Sequence, residues 1–69
     1  SGAYIMKATE LKDKSIAELQ SMLENSRRDY FKLKMRHMTG QLEKVSDMVS
    51  LRKDIARLKT VIRERELRG

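Results

Sequence analysis

The chain has 69 residues, no cysteine and a formal charge of +6, from 16 Lys and Arg against 10 Asp and Glu. A domain of this size buries only about 60% of its unfolded surface, which excludes an enzyme with a roomy interior active site. The lack of cysteine excludes a disulfide scaffold and a thiolate zinc site, and the charge favours an anionic partner. We expect a soluble protein, because no apolar stretch is long enough to span a membrane.

The N-terminal segment is expected to contribute little to function. We expect residues 1–5 to be a remnant of cloning ahead of a natural start at Met6, and residues 6–69 to form a single helical domain. Residues 9–11 favour one short helical turn, in which Leu11 packs against the end of the longer helices.

The first long helix is predicted over residues 15–38. Ser15 and Glu18 have the spacing of a capping box, in which each side chain accepts a hydrogen bond from the other residue's backbone N–H. Gly40 is placed to end the helix with a left-handed backbone angle. The apolar positions recur in a heptad pattern, with Ser26 in the one gap: Ile16, Leu19, Leu23, Tyr30 and Leu33.

The second long helix is predicted over residues 47–66, after a turn at 39–46, with Ser46 or Asp47 capping its first turn. A turn this short makes the two helices antiparallel neighbours, so we predict an all-α fold, a long two-helix hairpin. Two helices cover the apolar positions incompletely, so we expect a partner or self-association to complete the fold. The apolar positions of the second helix are Met48, Leu51, Ile55, Leu58 and Ile62.

The positive charge is concentrated in two segments. Residues 27–36 contain five cations and one acid, and residues 52–69 contain seven cations and three acids, so each has a net charge of +4. Two basic patches along a rod suit the repeated phosphates of a nucleic acid, and RNA is the natural candidate. The small Ala56 would let a phosphate backbone approach closely. The candidate RNA-binding residues are Arg28, Lys32, Arg36, Arg52, Lys53, Arg57, Lys59 and Arg63.

A second apolar stripe runs along the first helix through Phe31, Met35 and Met38, rotated by roughly 100° from the heptad positions. One partner helix cannot cover both sets. Either the loop folds back with Leu42 and Val45, or the stripe contacts RNA or another protein. We take its three residues as candidate protein contacts.

The sequence contains no combination of residues that is typical of a catalytic or metal site. His37 is the only histidine, so neither a histidine metal site nor a catalytic triad can be built. Asp29 and Asp54 stand beside cations and are interpreted as ion-pair partners, and Glu64 and Glu66 as solvated charges among the arginines of the last turns. We predict no enzymatic activity, no cofactor and no metal.

Three stretches of sequence together resemble a known family. They are MKATEL at residues 6–11, FKLKMR followed by TGQL within 31–42, and LRKDIARLKTV at 51–61. The chain resembles the bacterial large-subunit ribosomal protein family numbered twenty-nine along nearly its whole length from Met6. It departs from the family pattern at residues 37–38 and in the loop at 44–47.

This resemblance implies a structural, non-catalytic helical hairpin of the cytoplasmic ribosome. The hairpin would lie on large-subunit ribosomal RNA near the mouth of the nascent-peptide exit tunnel, beside the ribosomal protein numbered twenty-three. Trigger factor and the signal recognition particle dock in that neighbourhood. The family's RNA contacts carry over onto Arg52, Lys53, Arg57 and Lys59.

Two other functions are compatible with parts of the pattern. The heptad positions and the spare stripe also suit a self-associating helical interaction module. A basic amphipathic helix on a membrane surface is less favoured, because tryptophan is absent and the charge lies on two helices. Membrane insertion is not expected.

Overall fold

The computed structural model describes residues 8–41 and 45–69, which form three α-helices: α1 (Ala8–Leu11), α2 (Ile16–Met38) and α3 (Val45–Arg68). The described residues contain no strand, and α2 packs against α3. The molecule is a rod of 45 × 18 × 14 Å. The predicted all-α hairpin is therefore confirmed, whereas the expected cloning remnant at 1–5 lies outside the described residues.

The capping box that begins α2 is present as predicted. The Glu18 backbone N–H donates to Ser15 Oγ over 3.1 Å, and the Ser15 backbone N–H donates to Glu18 Oε1 over 3.1 Å. The Ser15 backbone N–H, followed by its hydroxyl, holds the pKa of the Glu18 carboxyl below its ordinary value of 4.5.

The end of α2 depends on Gly40, whose φ of +83° is the left-handed angle that the sequence predicted. The Gln41 N–H donates to the Arg36 carbonyl over 3.0 Å, and the Gly40 N–H donates to the His37 carbonyl over 3.2 Å. This pair of bonds is the Schellman motif, which satisfies carbonyl groups left open at a helix end.

The start of α3 differs from the prediction. The helix begins at Val45, so Ser46 and Asp47 lie inside its first turn rather than ahead of it as caps. Asp47 is nevertheless well placed, because a carboxylate near a helix N-terminus is stabilised by the helix dipole.

The core follows the predicted heptad positions. Leu19 and Leu33 of α2 and Leu51, Leu58 and Ile62 of α3 are buried, and Ser26 is buried in the gap between the α2 leucines. The remaining predicted positions, Ile16, Leu23, Tyr30, Met48 and Ile55, are half-buried. The two helices therefore leave one side of these residues uncovered, as two-helix packing requires.

The short helix α1 completes one end of the core. Leu11 is only 1% exposed and belongs to the same cluster as Leu19, Leu58 and Ile62. The prediction that Leu11 packs against the hairpin is therefore confirmed. This contact buries an apolar surface that the two long helices would otherwise expose at their open end.

The role of Arg65 was not predicted, because the sequence counted it only among the cations of residues 52–69. Arg65 Nη1 donates to the Lys14 carbonyl over 2.6 Å, and Nη2 donates to the carbonyls of Lys12 over 2.9 Å and Leu11 over 3.3 Å. Its guanidinium thus satisfies carbonyls at the end of α1 and ties the α1–α2 link to the last turns of α3.

Candidate nucleic-acid interface

The outward surface of α3 has low relief and carries several cations. One shallow depression is lined by Val49, Arg52, Lys53 and Ala56. The next depression along the helix shares Lys53 and Ala56 and extends toward the C-terminus. We call this surface the α3 basic face and define it by Arg52, Lys53, Ala56, Arg57 and Thr60.

The floor of the α3 basic face is formed by small side chains. Ala56 is exposed and projects only a methyl group. Thr60 Oγ1 donates to the Ala56 carbonyl over 3.0 Å, which holds the hydroxyl against the helix. A phosphate backbone therefore has room to approach the helix between the longer cationic side chains.

Arg57 differs from its neighbours because an acid lies beside it. Asp54, one helical turn earlier, is 1% exposed, and its Oδ1 lies 3.8 Å from Arg57 Nη1. The Arg57 side chain is 38% exposed, so it spans the boundary between the buried carboxylate and solvent. The predicted ion pair of Asp54 is confirmed, but its burial in the hairpin was not expected.

The two other predicted cations of α3, Lys59 and Arg63, lie on the side of the helix away from Arg57. Lys59 and Arg63 are exposed. A rotation of about 100° per residue groups them with Arg52, on the side of Ala56 away from Arg57. Lys53 and Arg57 form the other flank, where the exposed acid Glu64 lies beside them. Ala56 and Thr60 therefore lie between two flanks that each carry cations.

The basic ridge of α2 is formed by Arg28, Lys32 and Arg36, all exposed. In an antiparallel pair, the same rotation places the ridge on the flank that carries Lys53 and Arg57, with Arg52 on the other side. The two flanks of the hairpin are thus both basic.

The second apolar stripe is exposed. Phe31 is 61%, Met35 43% and Met38 68% exposed. Val45, which was considered as a cover for the stripe, is itself 60% exposed, and Leu42 lies outside the described residues. The fold therefore leaves all three side chains of the stripe accessible to solvent.

The described residues hold no group of three His, Cys, Asp or Glu side chains close enough to bind a metal ion. Within the same parts of the chain, no helix combines the length and the apolar character needed to cross a bilayer.

Comparison with known proteins identifies the family. The family described as "Ribosomal L29 protein" matches residues 9–65. The chain belongs to this ribosomal protein family. The resemblance seen in the sequence is therefore confirmed, and the family is one of large-subunit ribosomal proteins with a structural role.

Similar proteins cover nearly the whole chain. A large ribosomal subunit protein uL29 from Acetivibrio thermocellus is 47% identical over 64 residues, which are 93% of this chain and 96% of the relative. The uL29 protein of Nitrosomonas europaea is 50% identical over 60 residues, covering 87% and 94%. That of Staphylococcus aureus is 44% identical over 62 residues, covering 90% of each.

Proposed function

We propose that this chain is a structural protein of the large ribosomal subunit that binds ribosomal RNA through the α3 basic face. The observation that carries the proposal is the depression around Ala56, where Arg52, Lys53 and Arg57 surround a floor of small side chains. Such a surface admits a phosphate backbone and places a cation on each side of it.

The type of contact follows from the shape of the surface. The convex surface of a helix presents cations at intervals of one turn, about 5.4 Å, which suits successive phosphates rather than a small anionic metabolite. Folded RNA is recognised largely by its shape and its backbone, with little need for base readout. We therefore assign the α3 basic face to backbone contacts.

The remaining cations extend the proposed RNA contact on both flanks. Lys59 and Arg63 lie beside Arg52, and the α2 ridge lies on the flank of Arg57. RNA on one flank would engage α3 alone, whereas RNA on the other flank would engage both helices. The proposed RNA-binding residues remain those predicted from the sequence: Arg28, Lys32, Arg36, Arg52, Lys53, Arg57, Lys59 and Arg63.

The exposed apolar stripe supports a separate protein contact. We propose that Phe31, Met35 and Met38 pack against the ribosomal protein numbered twenty-three, near the mouth of the nascent-peptide exit tunnel. Trigger factor and the signal recognition particle would then dock close to this hairpin on cytoplasmic ribosomes. The exposure of all three side chains, which the fold itself leaves unused, supports a partner at this site.

RNA binding is tested with large-subunit ribosomal RNA stripped of protein. If about six phosphates are contacted, affinity falls by roughly three decades between 50 and 200 mM salt. Replacing Arg52 and Lys53 with Ala should lower both the affinity and the salt dependence. The matched control replaces Lys12 and Arg68 with Ala, two exposed cations outside the α3 basic face, and should retain more of the affinity.

A neutral variant tests the role of the small floor. Ala56→Leu fills the depression without changing the charge and with little change in helix propensity, so it should weaken RNA binding while leaving thermal unfolding nearly unchanged. RNA binding that is independent of salt and equal in Ala56→Leu would refute the proposed contact. A stable dimer or tetramer by sedimentation, with no RNA affinity, would instead favour the self-associating module.

A further inference from the structure

The buried carboxylate of Asp54 has no explanation in RNA binding alone. It is 1% exposed in a chain of charge +6, and it lies next to the cationic residues of the α3 basic face. Burying a carboxylate costs free energy unless a charge or hydrogen-bond donors compensate it. A negative charge near a phosphate also opposes RNA binding, so an acid here needs a compensating role.

The geometry provides such a role through Arg57. Nη1 of Arg57 lies 3.8 Å from Asp54 Oδ1, and the side chain continues outward to line the depression beside Lys53 and Ala56. A guanidinium carries five N–H donors in a planar fork, a geometry in which one edge can face a carboxylate while another edge faces a phosphate. Lys53 is exposed and carries a more flexible side chain.

We infer that Asp54 is a positioning residue, which holds the Arg57 guanidinium in the orientation that meets an RNA phosphate. A long side chain loses rotamer freedom when it binds, and a side chain already held in place loses less. Asp54 thus restricts the rotamers of Arg57 in the free protein, so that less conformational entropy is lost when RNA binds. This inference rests on the proposed RNA-binding function and identifies the residue that orders its site.

The direction in which Asp54→Asn changes the RNA affinity distinguishes this role from simple repulsion of phosphate. Asp54→Asn keeps the shape of the side chain and removes its charge. If Asp54 only repels phosphate, the variant binds RNA more tightly, as the control Asp29→Asn should, because Asp29 is an exposed acid on the basic segment of α2. If Asp54 orders Arg57, Asp54→Asn binds about three- to tenfold more weakly.

The experiment measures the affinity of the full chain for protein-free large-subunit ribosomal RNA in Asp54→Asn, Arg57→Ala and the double variant, with helicity and thermal unfolding followed by circular dichroism. Positioning predicts that Asp54→Asn weakens binding only while Arg57 is present, so the double variant binds no more weakly than Arg57→Ala. An equal loss in both backgrounds would show that Asp54 acts through the fold, and would overturn the inference.

A second variant keeps the test decisive if Asp54→Asn unfolds. Arg57→Lys retains the charge but loses the planar fork, so it should lose affinity with unchanged helicity; full affinity in this variant would also overturn the inference. The failure of the proposed function is distinct: a wild-type chain without salt-dependent RNA affinity refutes both. A wild-type chain that binds RNA, with a tighter Asp54→Asn variant, refutes the positioning role alone.

Discussion

Arg65 and Arg57 show how differently two arginines of one helix are used. Arg65 donates three hydrogen bonds to backbone carbonyls at the end of α1 and in the α1–α2 link. Arg57 is held beside Asp54 and reaches the outer surface of α3. The net charge of a segment therefore overstates the number of cations that are available to a polyanion.

Removing the hydrogen bonds of Arg65 should lower the stability of the hairpin and loosen the α1–α2 link. Arg65→Ala should lower the free energy of unfolding by about 1–3 kcal/mol, because hydrogen bonds from a charged donor are lost and carbonyls of the α1–α2 link lose their donor. Urea unfolding measures this change, and amide hydrogen exchange should accelerate most around Leu11.

Arg68→Ala is the matched control, since Arg68 is an exposed arginine of the same helix end. It should change the stability by less than about 0.5 kcal/mol. Equal effects of the two substitutions would mean that the hydrogen bonds of Arg65 add nothing beyond its charge.

At the scale of the element, both ends of α2 are specified locally. The capping box at Ser15 and the Schellman motif at Gly40 each satisfy backbone groups with residues three to five positions away. Ser15→Ala should accordingly destabilise the hairpin by about 1 kcal/mol, measured by urea unfolding at pH 7.

The capping box also predicts how stability depends on pH. The pKa of Glu18 is lowered in the folded chain, so its contribution is fully present above the ordinary value of 4.5 and is lost as the pH falls through the folded pKa. Glu18→Gln keeps an acceptor but does not titrate, so its stability difference from wild type should shrink below pH 4.5.

Urea midpoints at several pH values measure this dependence, with Glu66→Gln as a control on the exposed surface of α3. A difference between wild type and Glu18→Gln that stays constant down to pH 2 would contradict the assigned cause of the lowered pKa.

At the scale of the whole molecule, the hairpin is a rod with a narrow core. Two long helices cannot enclose their apolar residues, so the stripe of Phe31, Met35 and Met38 stays exposed after folding. The shape therefore leaves both the stripe and the α3 basic face accessible on one small chain.

The stripe provides a test of the proposed protein contact. Replacing Phe31, Met35 and Met38 together with Gln should leave the free energy of unfolding within about 0.5 kcal/mol per site, because exposed side chains contribute little to folding. Binding to the ribosomal protein numbered twenty-three, measured by titration calorimetry, should be weakened, while RNA affinity is retained.

Leu67→Gln is the control, because Leu67 is 77% exposed and lies outside the stripe. If the triple variant unfolds, the stripe packs within the hairpin. If it binds the ribosomal protein numbered twenty-three as well as wild type does, the stripe does not make the proposed contact.

Much of the fold could be predicted because its determinants are close in sequence. The heptad spacing selects the buried positions from Leu19 to Ile62, and Gly40 marks the turn. The start of α3 was misplaced by two residues, because both Ser46 and Asp47 are favourable either as caps or inside a first turn. The family resemblance, which rests on short local motifs, was equally visible.

The candidate site was less accessible to sequence reasoning. Spacing selected Arg52, Lys53 and Arg57 as surface cations, and the structure gathers them around Ala56. The burial of Asp54 was not predicted, because an acid between a lysine and an isoleucine is compatible with either an exposed or a buried carboxylate. Periodicity assigns a residue to one side of a helix, but the path of the side chain depends on what lies opposite.

The sequence by itself determined the helices, both ends of α2, the antiparallel pairing and the family, because these depend on contacts within a few residues or on a repeating pattern. Only the tertiary structure decided that Arg65 binds the link 51 to 54 residues earlier and that Asp54 is buried beside Arg57. The physical reason is that a charged side chain can be solvated or paired at similar free energy, and the choice is made by the neighbours that folding brings to it.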